Sequence, residues 1–245
     1  MPIDIHDAES GIRVLTIDRP EKRNAFDLQT YQALAEAIDA ADSDPTVRAI
    51  IITGRGTVFT SGNDLADFRD QRGSRQALAL LRALVTAEKP TIAAVEGFAI
   101  GIGTTLLLHC DLAYAGRSTV FALPFVKLGL SAEGGSTLLL PRLAGSKLAN
   151  ELLLLGEQFD ASRAEAAGLI NHIVDDGTAY DSALAVVRSL VQLPAEAVLV
   201  TKRLMRRDRP EILRAIDEEA VLFEARSRSP EALTAFDRFF RTATN

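Results

Sequence analysis

Apolar residues recur along this chain at two periods, and the switches between them predict its elements. In "GIRVLTIDRP" the alternation of Ile12 and Val14, then Leu15 and Ile17, predicts a strand that Pro20 closes before the polar loop "EKRNAF". Asp27 can cap a helix in which Leu28, Tyr31, Ala35 and Ile38 follow the 3.6-residue period, and "RAIIIT" at 48–53 then reads as a buried strand. A second round follows "GRGTVFTSGNDL", with a helix over 75–89 ("RQALALLRALVTAEK") and a strand over 90–97 ("PTIAAVEG"). The third is "GIGTTLLLHCD", a short helix, before the strands "LAYAG" and "TVFAL". This succession of strand, helix and strand predicts an α/β architecture with functional loops at strand ends.

From about residue 146 the helical period takes over in "SKLANELLLLG", "ASRAEAAGLI", "DSALAVVRSLVQL", "AEAVLVTKRLMRRD", "PEILRAIDEEAVLFEARS" and "PEALTAFDRFFRT". The last of these segments carry Leu222, Phe223, Phe236, Phe239 and Phe240, more apolar surface than isolated helices need. They are expected to pack on the first part of the chain or on another subunit. The organisation expected is a core over residues 1–190 and a helical region over 191–245. No fixed-period repeat is present.

Composition narrows the function. A chain of 245 residues with 47% hydrophobic and 24% charged residues matches an ordinary globular protein. The formal net charge of -6 leaves no overall basic footprint for nucleic acid, so an anionic ligand would need a local basic patch. The lone Cys110 can form neither an intrachain disulfide nor a thiolate zinc site, which fits a reducing compartment. "MPIDIHDAESG" lacks a basic stretch followed by an apolar run, and no apolar stretch reaches the roughly 20 residues of a membrane span. A cytoplasmic protein without a membrane partner is expected.

Two glycine-containing loops, "FTSGNDL" at 59–65 and "GFAIGIGTT" at 97–105, can each turn backbone N–H groups outward, the second at the start of a helix. That combination suits a developing oxyanion. Taken singly, each loop is also explained by a tight turn and close packing. Gly97, Gly101 and Gly103 do not spell GxGxxG, and no GxxxxGK[ST] occurs, so a dinucleotide fold and a P-loop are rejected. His6 and His172 stand in no metal-ligand spacing, and no metal or redox cofactor is expected.

Taken together and in order, "RPEKRNAF", "FTSGNDL", "GFAIGIG", "LPFVKLGLSAEGGS" and "AAGLINHIV" resemble the enoyl-CoA hydratase/isomerase, or crotonase, superfamily over nearly the whole chain. The resemblance implies an α/β spiral of ββα units and a helical C-terminal region that builds homotrimers or dimers of trimers. It also implies acyl-CoA thioester substrates whose enolate is held by two backbone N–H groups. Carried over by position, the donors are the amides of Asn63, after Ser61 and Gly62, and of Ile102, between Gly101 and Gly103. Loss of one well-aligned donor of this kind typically costs about 3 to 4 kcal/mol of barrier stabilisation.

Hydratases of this superfamily use two glutamates to activate water, and here the matching positions hold Thr105 and Phe125. Neither is a general base at neutral pH, which argues against hydration. Glu133, in "GLSAEGGST", stands where the peroxisomal-type Δ3,Δ2-enoyl-CoA isomerases carry their single acidic base, although Ala132 replaces a proline often seen there. The resemblance therefore implies an isomerase that moves a proton from C2 to C4 of a 3-enoyl-CoA. Apolar surroundings from Leu128, Leu130 and the "TLLL" run would raise the Glu133 pKa. The residues alone also allow Glu133 to be an acid at the N-terminus of a helix starting near Gly134, a placement favourable by roughly 0.3 to 1 kcal/mol. Rival readings of the chain are another enolate reaction (hydrolase, decarboxylase or ring isomerase) and a non-catalytic acyl-CoA-binding subunit.

CoA carries phosphates, so Lys22 and Arg23 in the first loop, and Lys202 on the "TKRLMRR" segment with Arg203, Arg206 and Arg207, are candidate contacts; a solvated helix face is the alternative for Arg203 and Arg207. Ala25, Ser61, Gly62, Asp64, Leu65, Phe98 and Gly101 complete the substrate-binding positions that the resemblance implies, and Asp64 is also expected to cap or brace the loop after it. His109 and Cys110 are neighbours on one helix and point apart, so they read as buried packing rather than a nucleophile pair.

Overall fold

A computed structural model of the chain describes residues 1–64 and 73–243. Strands β1 (Ile3–Glu9), β2 (Ile12–Ile17), β3 (Ala49–Gly54), β4 (Thr91–Val95), β6 (Leu112–Gly116) and β9 (His172–Val174) form one sheet in the order β1-β2-β3-β4-β6-β9. All neighbours in it are parallel except β1 and β2. A smaller sheet pairs β5 (Phe98–Ile100) with β7 (Val120–Ala122) in parallel, and β7 with β8 (Gln158–Asp160) antiparallel.

Because strand side chains alternate between faces, the apolar runs seen in the sequence split between two cores. Ile12, Val14, Ala49, Ile51, Ile92 and Ala94 face helix α6 (Ala179–Val191), whose Ala183, Leu184 and Val187 complete that layer. Leu15, Ile17, Ile50, Ile52, Ala93 and Val95 face the larger core, with α1 (Leu28–Ser43), α2 (Gly73–Thr86) and the second sheet. The chain is thus an α/β layered domain, as its periodicity predicts.

Five elements depart from the sequence reading. β1 is an edge strand with most side chains exposed, so its alternation carries almost no apolar signal. β8 and β9 are only three residues each and fall in the short gaps between segments that read as helical. The helix expected over 161–170 is confined to α5 (Ala161–Ala166), because Gly168 takes a left-handed φ of +71° and turns the chain toward β9. The helix expected from 146 starts instead at Ser136, as α4 (Ser136–Leu155), and kinks at Gly145. After β9 the chain is helical in α6, α7 (Ala195–Met205), α8 (Arg209–Ser227) and α9 (Pro230–Ala243).

The last two helices fold back onto the first part of the chain. Phe223 of α8 sets its edge against Phe125 with ring centres 6.3 Å apart, and Arg226 donates to the Gly129 carbonyl at 3.1 Å. A side chain at Gly129 would collide with the α9 backbone at Ala232, 2.7 Å away. Residues 129–135 are therefore enclosed by the helical region, which forms part of the site as well as covering the core.

Candidate active site

Three loops meet at the ends of β2, β3 and β5. The first, after β2, carries a short 3-10 turn at Pro20–Lys22, then Arg23 and Asn24 in left-handed backbone. Asn24 is buried and holds the turn closed, because its side-chain amide donates to the Arg55 and Val58 carbonyls at 3.0 and 2.6 Å and its oxygen accepts from the Arg19 amide. The second loop is stitched to the first: Ser61 N–H donates to the Arg23 carbonyl, Phe26 N–H to Gly62, and Asp64 N–H to Phe26.

That last pair of bonds orients the Asn63 amide. Phe26 and Asn63 form a parallel bridge in which Gly62 and Asp64 supply the ladder bonds, so the Asn63 N–H is turned to the opposite side, away from Phe26. The Asn63 side chain is not the outward group, since its Oδ1 accepts from the buried Tyr31 hydroxyl on α1. Arg19, paired with both Asp27 (3.0 Å) and Asp64 (3.5 Å), ties the ends of the two loops together. Asp64 thus braces the first loop through Arg19.

The third loop lies directly against the second. Thr60 and Ala99 form another parallel bridge, and the glycines fit where no side chain would: a Cβ on Gly62 would stand 2.6 Å from the Ile100 carbonyl oxygen, and one on Gly103 would stand 2.4 Å from Thr60. Gly101, at φ +56°, turns the chain from β5 into the helical turn α3 (Ile102–Thr105), placing Ile102 N–H at its first position. Amides at that position have no partner within the helix. Asn63 and Ile102 therefore offer two backbone donors from adjoining loops, the arrangement expected of an oxyanion site.

Glu133 comes to the same place through Gly134, whose Cβ position would be 3.1 Å from Thr105. The carboxyl is buried, at 7% exposure, and its Oε1 has no hydrogen-bond partner. Burial, with a smaller contribution from the nearby Glu219 charge, pushes its pKa up to about 8. Tyr31, whose own pKa burial raises, feels the Glu133 charge as well, which puts base, tyrosine and Asn63 loop in one pocket of charge.

The alternative reading of Glu133, an acid capping the next helix, is displaced by a residue the sequence reading did not single out. The amides that start α4, at Gly135 and Thr137, donate to Glu219 of α8 at 2.6 and 3.0 Å, and the Thr137 hydroxyl donates to it too. Glu219 is 6% exposed, and it sits on the buried stripe of α8 with Ile212, Ile216 and Phe223. A carboxylate at an apolar position of an amphipathic helix was the available signal. Glu133 is thus not alone among acids at this site.

The hydratase positions hold what the sequence implies. Thr105 is buried with its hydroxyl turned back to the Gly101 and Ile102 carbonyls (3.4 and 3.3 Å), and Phe125, 3% exposed, lies 4.0 Å from a Cβ built on Gly101. His109 is buried and neutral, its pKa pushed down to about 4 by desolvation, and its Nε2 donates to the Gly134 carbonyl at 2.7 Å. Burial pushes the Cys110 thiol up to about 12, so the pair is packing rather than a nucleophile.

The basic candidates separate. Lys22 and Arg23 are exposed on the first loop beside Ser61, with no ion pair among the described residues. Ala25 is buried with its carbonyl held by Arg19; Ser61, half-buried, lies beside the Lys22 carbonyl; Phe98 is half-buried in β5. Leu65 lies outside the described residues. Lys202 is a correction: its ammonium is buried, donating to Asp111 at 2.6 Å and to the Lys89 carbonyl at 2.7 Å, so it is spent inside the protein and does not reach a phosphate. Arg203 pairs with Glu88 and Arg206 with Asp111, which makes the "TKRLMRR" segment a docking face of α7.

The chain is similar to known proteins over most of its length. The family model described as enoyl-CoA hydratase/isomerase matches residues 7–241. The chain is 34% identical over 242 residues to enoyl-CoA delta isomerase 2 of Rattus norvegicus, covering 95% of this chain and 62% of that protein. It is 40% identical over 196 residues to 1,2-epoxyphenylacetyl-CoA isomerase of Escherichia coli, covering 76% of this chain and 75% of that one. The crystal structure of an enoyl-CoA hydratase/isomerase from Pseudoalteromonas atlantica superposes with a TM-score of 0.94 at 35% identity, over 99% of this chain and 98% of the other. Other relatives carry hydratase names. The chain spans about 62% of the length of the rat protein it matches.

Proposed function

The chain belongs to the enoyl-CoA hydratase/isomerase family and has its crotonase-type α/β fold, and within that family we propose that it is a Δ3,Δ2-enoyl-CoA isomerase rather than a hydratase. The observation that carries this reading is Glu133, whose buried carboxyl has the one unpartnered buried carboxyl oxygen among the described residues, beside a threonine and a phenylalanine where a water-activating pair would stand.

The proton path needs one base. As a carboxylate, Glu133 takes a proton from C2 of a 3-enoyl thioester, and the C–H electrons pass into a dienolate whose oxygen is held by the Asn63 and Ile102 amides. Glu133 then returns the proton to C4, leaving the double bond between C2 and C3. No water is consumed, and Phe125 beside Gly101 keeps that side of the turn dry. A pKa near 8 makes Glu133 a stronger base than an exposed carboxylate, at the cost of being mostly protonated at pH 7. Exposed Lys22 and Arg23 at the mouth of the first loop are the side chains that would meet the CoA phosphates.

The test is conversion of 3-hexenoyl-CoA to the conjugated 2-enoyl product, followed by ultraviolet absorbance. Turnover is expected, with kcat/KM rising about tenfold per pH unit up to about pH 8 and little above it. Glu133→Gln should abolish it; a variant that isomerises at the wild-type rate refutes the mechanism. The likeness to the E. coli isomerase supports a second reading, a ring isomerisation through the same enolate. A panel of linear and aromatic acyl-CoAs separates the two.

A further inference from the structure

We propose that Glu219 is a positioning residue for the Glu133 base: fixed by the first amides of α4, its carboxylate holds the Glu133 loop in place and presents a standing negative charge to it. This rests on Glu133 being the base. Glu219 comes from 86 residues further along the chain, yet it occupies the helix start that Glu133 adjoins. Its Oε2 accepts from Gly135 N–H and its Oε1 from both the amide and the hydroxyl of Thr137. Those bonds clamp the residues immediately after Glu133, and Ile216, one turn back on α8, rests 3.3 Å from the Cβ position of Gly135.

The two carboxyls differ in what satisfies them. Burial raises the pKa of both, but only Glu219 is opposed by hydrogen-bond donors, and the N-terminal end of α4 adds favourable dipole. When one negative charge is shared between them, it settles on Glu219 and the proton on Glu133. Of the other ionisable groups that pack here, the three buried ones carry no charge near pH 8, and the arginines that reach the loop are paired: Arg226, which donates to the Gly129 carbonyl, with Glu231, and Arg206, beside His109, with Asp111. Tyr31 on α1 is a neutral phenol, His109 a neutral imidazole and Cys110 a neutral thiol. The Arg82–Asp217 pair between α2 and α8 and the Arg142–Glu211 pair between α4 and α8 are exposed and self-neutralising. Glu219 is thus the charge that Glu133 meets, and it makes Glu133 the stronger base.

The experiment is a carboxyl-carbon NMR titration of the full chain carrying 13C-labelled glutamate, with Glu133→Gln to assign its resonance. In the unaltered protein Glu133 should titrate near pH 8 and Glu219 below it. In Glu219→Gln the Glu133 midpoint should fall by on the order of one pH unit, the scale of one neighbouring like charge. The acid limb of kcat/KM on 3-hexenoyl-CoA should fall with it. A role confined to holding the loop would lower kcat and leave both midpoints where they were. An unmoved Glu133 midpoint in folded Glu219→Gln overturns the proposal. So does a Glu219 that titrates above Glu133 in the unaltered protein, a result that needs no Glu219 variant to fold. If Glu133→Gln keeps full isomerase activity, the functional reading fails, while the titration still decides the relation between the two acids.

Discussion

Two glycines in left-handed backbone, Gly62 and Gly56, separate the strain of a side chain from its collision with the oxyanion loops. Both have φ near +80 to +90°, at +91° and +77°. An alanine in that conformation costs roughly 1 to 2 kcal/mol at either site. At Gly56 nothing lies within 4 Å of the added Cβ, so that strain is the whole effect. At Gly62 the Cβ would lie 2.6 Å from the Ile100 carbonyl oxygen, well inside the roughly 3.3 Å at which carbon and oxygen rest. Ile100 cannot yield easily, because its N–H is bonded to Thr60 and its strand is paired with β7. Residues 61–63 must move instead, and they carry the Asn63 donor. A donor lost from an oxyanion site costs about 3 kcal/mol, or roughly 10²- to 10³-fold in kcat. The assay pairs isomerase kinetics with urea unfolding. Gly56→Ala should lose stability and keep kcat, while Gly62→Ala should lose at least as much stability and on the order of 100-fold in kcat. Gly62→Ala with wild-type kcat, or Gly56→Ala with an equal loss, refutes the placement of the Asn63 amide.

Two further outcomes test the electrostatics. Lys202→Met removes the ammonium from Asp111, which keeps Arg206 and the Thr91 amide; stability should fall by about 3 kcal/mol, a drop of roughly 6 to 12 °C in Tm for a chain of this size. KM for the CoA substrate should not change, and a tenfold rise in KM at unchanged Tm would return Lys202 to the phosphates. Glu133 has its pKa raised from 4.5 to about 8 on folding, so the folded state binds the extra proton between those values and stability falls as pH rises through that window. Glu133→Gln should remove this loss, making the variant more stable than wild type at pH 9 by up to about 5 kcal/mol and nearly equal to it at pH 4. Parallel stability-versus-pH curves from denaturant unfolding would show that Glu133 is solvated.

The β2, β3, β4 and β6 strands were legible because their apolar residues sit on both faces, and α1 because Asp27 caps it through Thr30 and its stripe faces the core. β8 and β9 were not, since three residues show no period and their pairing is imposed by neighbours distant in sequence. The site divides the same way. Asn63, Ile102 and Glu133 are set by local glycines that a motif reading can find. Tyr31 and Glu219 act through contacts across helices, at positions where the period announces only a buried face. Lys202 is misread for the converse reason: a lysine in a basic run looks available to a phosphate until Asp111, 91 residues away, is found beside it.

Capping in trans explains how a general base can adjoin a helix start without being neutralised by it. An acid just before a helix ordinarily accepts from its first amides, which lowers its pKa and weakens it as a base. Here Gly134 and Gly135, both left-handed at φ +73° and +75°, turn the chain so that Ser136 takes the Glu133 backbone carbonyl while the side chain is left free. The amides at Gly135 and Thr137 are then open to Glu219. One acid takes the hydrogen bonds and the other takes the desolvation, which drives their pKa values apart. Placing the cap on α8 therefore makes the strength of the base depend on the docking of the C-terminal helices, and a perturbation that loosens α8 should weaken proton transfer before it disturbs the oxyanion loops.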